Sequence, residues 1–125
     1  MPETFQPHIL VVDDDPQIRD MLQEYFTANG LRASATSSGK EMMRILADQA
    51  VDLVVLDLRL GEEDGMALAR RMRERWAVPM IILTGVLDEA DRVMGLELRA
   101  DACITKPFSP RQLLARVRTL LTKRK

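Results

Sequence analysis

Four short apolar segments of the sequence each end at a side chain that could take part in phosphate chemistry. Asp13 and Asp14 follow the first segment, Asp57 and Thr84 end the second and third, and Lys106 follows the fourth. Oxygen ligands suit Mg²⁺, which takes one or two protein carboxylates and fills its octahedron with water and phosphate oxygens. A lysine ammonium and a threonine hydroxyl can bind phosphoryl oxygens, and an ionised aspartate is a competent nucleophile toward phosphorus. These residue types therefore indicate Mg²⁺-assisted phosphoryl chemistry.

The apolar segments have the length and composition of buried strands, and helical patterns alternate with them. Strands are predicted at Ile9–Val12, Leu31–Thr36, Leu53–Leu56, Met80–Thr84 and Ala102–Thr105. Helices are predicted from Pro16 to a stop at Gly30, at about Ser38–Gln49, at Ala67–Trp76, at about Asp88–Leu98, and from Pro110 onward. This alternation predicts an α/β fold, a doubly wound five-stranded parallel sheet flanked by five helices joined through right-handed crossovers.

The predicted sheet would bring the polar side chains together. Parallel strands end at the same edge, and open α/β sheets bind ligands in the crevice outside that edge. Three carboxylates crowded there repel one another strongly unless a divalent cation or a proton relieves the repulsion. The fold and the residue types thus predict the same kind of site.

The bulk composition indicates one domain, residues 1–125, in which residues 1–7 form a loose lead-in. Lys and Arg number 18 and Asp and Glu number 19, for a net charge of −1. This balance gives neither a basic footprint for nucleic acid nor a polybasic membrane signal. One cysteine and no long apolar run predict a cytoplasmic protein without an internal disulfide or a membrane span.

Two other features are interpreted as having no special function. His8, at the entrance of the first strand, is interpreted as a surface residue. The arginines at positions 70, 71, 73 and 75 are interrupted by Glu74 and are interpreted as a solvated helix face rather than a nucleic-acid site.

Four sequence motifs resemble those of a known family: ILVVDDDP, LVVLDLRLGEEDG, IILTG and ITKPFSP. Their order and their intervals of 43 (57−14), 27 (84−57) and 22 (106−84) residues make the whole chain resemble the receiver domain of two-component response regulators. The resemblance implies a flavodoxin-like, CheY-like receiver fold. It also implies a signalling protein without separate substrate turnover.

The resemblance implies a role for each strand-end residue. Asp57 would be the phosphoacceptor, taking a phosphoryl group from a phosphohistidine on a sensor histidine kinase. Mg²⁺ would be bound directly by Asp14, mostly through water by Asp13, and by Asp57 and the main-chain carbonyl of Arg59. Lys106, followed by a cis peptide bond to Pro107, would contact the phosphoryl group. Thr84 would move toward that group to trigger the switch.

The sequence departs from the family pattern at several positions. Cys103 stands where receivers usually carry an aromatic residue that turns inward with the threonine, which puts that coupling in doubt. The segment from Arg99 to Ala102 replaces a common Gly-Ala-Asp-Asp, and Gly61 replaces a frequent proline, which is expected to loosen the loop after Asp57. Arg59 and Val86 lie where receivers tune hydrolysis of the acyl phosphate, and a long Arg59 side chain is expected to slow it.

The final helix resembles the last helix of receivers that precede a winged-helix DNA-binding domain of the OmpR type. Such receivers dimerise through helix 4, strand 5 and helix 5. Charged positions of that face are occupied here by Arg92, Glu97, Asp101, Arg116 and Arg118. A phosphorylation-strengthened homodimer, weakened by missing charges at Gln112 and Ala102, is therefore predicted. DNA would be bound only through an output domain outside this chain, and a stand-alone receiver is an equal alternative.

Three rival functions stay open from the sequence. A phosphatase of the haloacid-dehalogenase type needs a second aspartate two residues after the nucleophile, where this chain has Arg59. A receiver-fold docking module would work without phosphorylation, and Cys103 keeps that alternative open. A nucleotide-binding flavodoxin-like protein would need a glycine-rich loop after the first strand, and none is present.

Overall fold

The computed structural model describes residues 6–85 and 100–123. Five parallel strands form one sheet in the order β2-β1-β3-β4-β5. Their bounds are β1 His8–Val12, β2 Arg32–Thr36, β3 Leu53–Asp57, β4 Met80–Thr84 and β5 Ala102–Thr105. A separate antiparallel hairpin pairs Arg59–Leu60 with Glu63–Asp64. The predicted parallel sheet is therefore confirmed.

Four of the five predicted helices lie in the described residues and are confirmed. They are α1 Pro16–Ala28, α2 Gly39–Asp48, α3 Gly65–Arg75 and the C-terminal helix Pro110–Lys123. The helix predicted at about Asp88–Leu98 lies outside the described residues. Among the described helices, none has the length and apolar content needed to cross a membrane.

Side-chain caps fix where the first three helices begin. Asp15 accepts a hydrogen bond from the main-chain N–H of Gln17, and Pro16 occupies the first turn of α1. Ser38 and Asp64 cap α2 and α3 in the same way. These caps satisfy N–H groups that have no partner inside a helix. They also bring α1 and α3 to a start directly behind the strand ends that carry the predicted site.

The core lies in two layers, one on each face of the sheet. On one face, alternate strand residues such as Val12, Val54 and Ile82 pack with Met42 of α2 and Met72 of α3. On the other, the intervening residues pack with α1 and the C-terminal helix, through side chains that include Ile9, Val55, Leu22, Phe26 and Leu113. Every residue of β1, β3 and β4 is buried. The continuous apolar runs therefore reflect strands that are covered on both faces.

The prediction that His8 is a surface residue is wrong. β1 begins one residue earlier than expected, and His8 is only 1% exposed. Its Nδ1 lies 3.0 Å from the carbonyl oxygen of Ala50, and its Nε2 lies 2.7 Å from Oγ of Ser34. The ring therefore links β1 to β2 and to the segment before β3, at the end of the sheet opposite the acids.

The interpretation of the arginine-rich helix face as solvated is wrong for Arg73. Its guanidinium donates to the carbonyl oxygen of Val78 at 2.9 Å and to the carboxylate of Asp101 at 3.0 Å. Asp101 also accepts a hydrogen bond from the N–H of Met80 at 2.8 Å. The arginines at positions 70, 71 and 75 are exposed, as expected. Arg73 thus joins α3 to the starts of β4 and β5.

Candidate functional site

The ends of three neighbouring strands place Asp13, Asp57 and Thr84 at one edge of the sheet. β1 and β3 are adjacent, and Val12 pairs with Leu56, so the residues that follow these two lie side by side. Asp57 pairs in turn with Leu83, the residue before Thr84. All three polar residues are buried, and Asp13 is fully so. The predicted crevice is therefore present.

Three carboxylates meet in this crevice. One oxygen each of Asp13, Asp14 and Asp57 lies within 4.8 Å of the others. Burial removes Asp13 from water and raises its pKa, and the charge of Asp57 raises it further. The N–H of Asp15 and the ammonium of Lys106 oppose this shift without cancelling it. The ionised form of Asp13 is therefore costly in the absence of a further cation.

Lys106 reaches the same acids from the end of β5. Its Nζ lies 2.8 Å from Oδ2 of Asp57 and 3.0 Å from Oδ2 of Asp13. The main-chain N–H of Lys106 donates to the carbonyl oxygen of Thr84, and the peptide bond to Pro107 is cis, as predicted. Burial lowers the pKa of Lys106, but its hydrogen bonds and attraction to the two aspartates outweigh burial, so the pKa is raised overall.

The donor atoms of the crevice fit a hard divalent cation. Oδ2 of Asp13 is buried and has no hydrogen-bond partner of good geometry among the residues that the structure describes, although the ammonium of Lys106 is near it. The N–H of Arg59 donates to Oδ1 of Asp57 at 2.9 Å, which holds the main chain of Arg59 beside the acids. Carboxylate and carbonyl oxygens are the ligands that Mg²⁺ takes, usually together with several waters. The residues present are thus suited to Mg²⁺.

The hydroxyl of Thr84 is buried and has no hydrogen-bond partner among residues 6–85 and 100–123. Thr84 pairs with Thr105 across β4 and β5, and Cys103 pairs with Ile82. Because alternate residues of a strand share a face, the side chains of Thr84, Thr105 and Cys103 lie on the same face of the sheet. Cys103 is exposed. Thr84 and the position where receivers usually carry the inward-turning aromatic residue therefore lie on one face of the sheet.

Sequence reasoning missed Arg19, which holds the acidic loop in place. Its guanidinium donates to the main-chain carbonyl oxygen of Asp13 at 2.9 Å. Oδ1 of Asp13 accepts a hydrogen bond from the N–H of Asp15 at 2.9 Å, which fixes the side chain as well. The available signal was the position of Arg19 on the first turns of α1, directly behind the acids.

The loop after Asp57, which the sequence predicts to be loosened by Gly61, forms a short antiparallel hairpin. Gly61 adopts a φ of +64° at the turn of the hairpin that pairs Arg59 with Asp64 and Leu60 with Glu63. A positive φ suits glycine, so this residue permits the turn. The carboxylate of Glu63 then accepts a hydrogen bond from the N–H of Gly39 at 3.0 Å. The hairpin is therefore connected to α2.

The structure places three of the five predicted interface charges. Asp101 is held by Arg73, and Arg118 donates to the carbonyl oxygen of Asn29 at 3.3 Å. Arg116 and Cys103 line a groove of about 480 Å³ between β5 and the C-terminal helix. Arg92 and Glu97, together with Val86, lie outside the described residues. Two of the three placed charges thus have intramolecular contacts.

Comparison with known proteins identifies relatives along most of the chain. Residues 9–118 match the response regulator receiver domain family. The chain is 45% identical over 114 residues to the TorCAD operon transcriptional regulatory protein TorR of Escherichia coli K12, covering 91% of this chain and 50% of that protein. It is 47% identical over 116 residues to the transcriptional regulatory protein GltR of Pseudomonas aeruginosa, covering 90% and 48%. The chain thus spans about half the length of these curated relatives.

Solved structures share the fold. The receiver domain of the TMAO respiratory system response regulator TorR superposes with a TM-score of 0.90 at 44% identity, covering 94% of this chain and 98% of that chain. The receiver domain of the Francisella response regulator 1452 gives a TM-score of 0.88 at 30% identity, with coverages of 96% and 100%. The strand order and the layers of helices described above are therefore shared with known receiver domains.

Proposed function

Because the chain belongs to the receiver domain family of two-component response regulators, we propose that it accepts a phosphoryl group on Asp57 from a phosphohistidine of a sensor histidine kinase. In this reaction an oxygen of Asp57 attacks phosphorus while the bond from phosphorus to the histidine nitrogen breaks. The nitrogen keeps the electron pair and takes a proton from solvent, and Asp57 becomes an acyl phosphate. Asp57 returns to the carboxylate when water later removes the phosphoryl group.

The observation that carries this proposal is the fixed orientation of the Asp57 carboxylate. Lys106 Nζ lies 2.8 Å from Oδ2, and the N–H of Arg59 lies 2.9 Å from Oδ1. A carboxylate held by two donors at a strand end is oriented before its partner arrives, which reduces the entropic cost of the attack. Lys106 would also balance the negative charge that collects on the phosphoryl oxygens.

Mg²⁺ is the proposed cofactor. Asp13, Asp14, Asp57 and the main-chain carbonyl of Arg59 would hold it, with Asp14 in direct contact and Asp13 mostly through water. When bound, the ion neutralises oxygen charge and orients the phosphoryl group. Arg19 would keep Asp13 in place through its hydrogen bond to the main chain.

The test is the intact mass of the protein after incubation with acetyl phosphate, with and without Mg²⁺. One added phosphoryl group is expected in the native chain with Mg²⁺, and none in Asp57→Asn. Asp20→Asn, at an exposed position of α1, is the matched control and should behave like the native chain. Phosphorylation of Asp57→Asn, or none in the native chain, would contradict the proposal. The second result would favour a docking module that works without phosphate.

The switch is proposed to run from Thr84 to the face formed by the predicted fourth helix, β5 and the C-terminal helix. The hydroxyl of Thr84 is buried and has no hydrogen-bond partner in the described part of the chain, so it is suited to bind a phosphoryl oxygen. With Cys103 in place of an aromatic ring, the signal would pass through the main chain after Thr84. The names of TorR and GltR describe transcriptional regulatory proteins. These names support a receiver that controls transcription, and we propose that it is cytoplasmic and reaches DNA through an output domain outside this chain.

A homodimer through the same face is proposed to form on phosphorylation. Arg116 on the C-terminal helix and the groove beside Cys103 support it, whereas the engagement of Asp101 by Arg73 weakens it. Sedimentation velocity with beryllofluoride, a phosphoryl mimic, should show dimers that Arg116→Glu reduces. A monomer at high concentration with the mimic bound would contradict this part of the proposal.

A further inference from the structure

We propose that Glu63 is a positioning residue for the acceptor site. By binding α2, Glu63 holds the main chain of Arg59 in place. This inference rests on the proposed function for the identity of the site. Glu63 touches none of the acids itself. It acts through the hairpin of residues 59–64, which joins the end of β3 to the start of α3.

The contact is a carboxylate at a helix N-terminus. The two oxygens of Glu63 lie 3.0 and 3.2 Å from the main-chain nitrogen of Gly39, the first residue of α2. The first N–H groups of a helix have no partner within it, and they form the positive end of its dipole. A negative side chain is therefore stabilised there by a hydrogen bond and by charge.

The anchor point on α2 is itself fixed. Oγ of Ser38 accepts a hydrogen bond from the N–H of Glu41 at 3.0 Å and caps the helix. A Cβ atom at Gly39 would lie 2.0 Å from Cδ1 of Leu68, so the absence of a side chain at Gly39 lets Leu68 of α3 pack directly on the start of α2. The start of α2, to which Glu63 binds, is thus capped by Ser38 and packed against Leu68 of α3.

The hairpin needs such an anchor. Its strands have two residues each, and a two-stranded hairpin is at best marginally stable alone. Both ends of the segment are fixed, because Asp57 belongs to β3 and a Cβ atom at Gly65 would lie 2.2 Å from the carbonyl oxygen of Leu58. Its middle, around the positive-φ Gly61, is held by the bond from Glu63 to Gly39.

The path from Glu63 to the site is short. Glu63 pairs with Leu60, which is only 3% exposed, and Asp64 pairs with Arg59. Arg59 donates its N–H to Oδ1 of Asp57, and its carbonyl oxygen is the proposed third protein ligand of Mg²⁺. Release of Glu63 would therefore displace a metal ligand and a donor to the acceptor together.

The experiment is titration of the metal-free protein with Mg²⁺ alone by calorimetry, for the native chain and three variants. Groups that orient metal ligands typically change metal affinity by about 10- to 100-fold when removed, so Glu63→Ala is expected to bind at least about tenfold more weakly. Glu63→Gln keeps an oxygen that accepts the Gly39 N–H and should recover most of this loss. Glu62→Ala removes the same charge one residue away, at an exposed position, and should bind like the native chain.

Native affinity in Glu63→Ala would overturn the proposal. The proposal would also be overturned if Glu63→Gln or Glu62→Ala lost as much Mg²⁺ affinity as Glu63→Ala. Either result would show an effect of charge alone. The proposed function fails separately if the native chain binds Mg²⁺ but takes no phosphoryl group from acetyl phosphate. A native chain that binds no Mg²⁺ would overturn both.

Discussion

The ammonium of Lys106 lies 2.8 Å from Oδ2 of Asp57, at the ends of two strands that are separated in the sheet by β4. The same ammonium lies 3.0 Å from Asp13, so one cation serves two buried acids. It therefore stabilises the metal-free site, and it also occupies space next to the oxygens that a divalent cation would bind. Removal of the lysine is therefore expected to strengthen metal binding and to slow phosphorylation.

Lys106→Met should bind Mg²⁺ more tightly and accept phosphate more slowly. The acids lose a competing cation, whereas the phosphoryl oxygens lose a donor. Removal of one such donor typically slows a reaction by about 100-fold or more. Calorimetry and the time course of intact mass with acetyl phosphate measure the two effects. Lys40→Met, at an exposed position, is the control, and a native phosphorylation rate in Lys106→Met would exclude this role.

The raised pKa of Asp13 predicts that the contribution of this residue to the stability of the metal-free protein falls as pH rises. An acid whose pKa is higher in the folded than in the unfolded state stabilises the fold fully below its ordinary value of 3.8. That contribution is lost as pH rises through the folded pKa, by about 1.4 kcal/mol per unit of pKa difference.

Asp13→Asn should therefore be more stable than the native chain at neutral pH and should show a smaller decline above pH 3.8. Urea unfolding at several pH values with a chelator present measures this. Asp20→Asn should keep the native pH dependence. Equal pH profiles for Asp13→Asn and the native chain would show that the burial of Asp13 has no such energetic effect.

Arg59→Ala should shorten the lifetime of the acyl phosphate severalfold. The main chain of Arg59 is held by Asp57, so removing the exposed side chain leaves the acceptor in place while opening the path for attacking water. The half-life is measured by intact mass after excess acetyl phosphate is removed. Arg70→Ala, on the exposed face of α3, should keep the native half-life. An unchanged lifetime in Arg59→Ala would show that this side chain does not shield the acyl phosphate.

Replacement of Asp101 by asparagine should destabilise the fold far less than replacement by alanine. Asp101→Ala leaves the N–H of buried Met80 without its partner, which costs about 1 to 3 kcal/mol. Asp101→Asn keeps an acceptor oxygen and loses mainly the partly exposed ion pair with Arg73, worth about 0 to 1 kcal/mol. Urea unfolding midpoints of the two variants test the difference, and equal midpoints would contradict it.

Local signals explain why most of the fold was predictable. Apolar runs locate the buried strands, and Asp15 with Pro16 marks the start of α1, because these signals act within a few residues. The strand-end acids, threonine and lysine were found in the same way, since a parallel sheet brings its strand ends together. The boundaries differ by one or two residues, as at His8 and Trp76, where pairing and capping decide the terminal position of the element.

Contacts between distant residues explain what was missed. Glu63 binds Gly39 across 24 residues, and Arg73 binds Asp101 across 28. Neither pair shows a periodic pattern, because each depends on how α2, α3 and β5 pack. His8 was misjudged for the same reason, since its burial depends on Ser34 and Ala50.

The order of the strands also determines when the site can exist during synthesis. Lys106 lies 93 residues (106−13) after Asp13, directly behind β5 at the sheet edge. Synthesis proceeds from the N-terminus, so the acids leave the ribosome before Lys106, and a domain generally folds as a unit. The nascent chain therefore presents its three acids before the ammonium that contacts two of them. Addition of the last strand completes the sheet and brings the ammonium to the acids in one step, so an incomplete chain has no assembled acceptor.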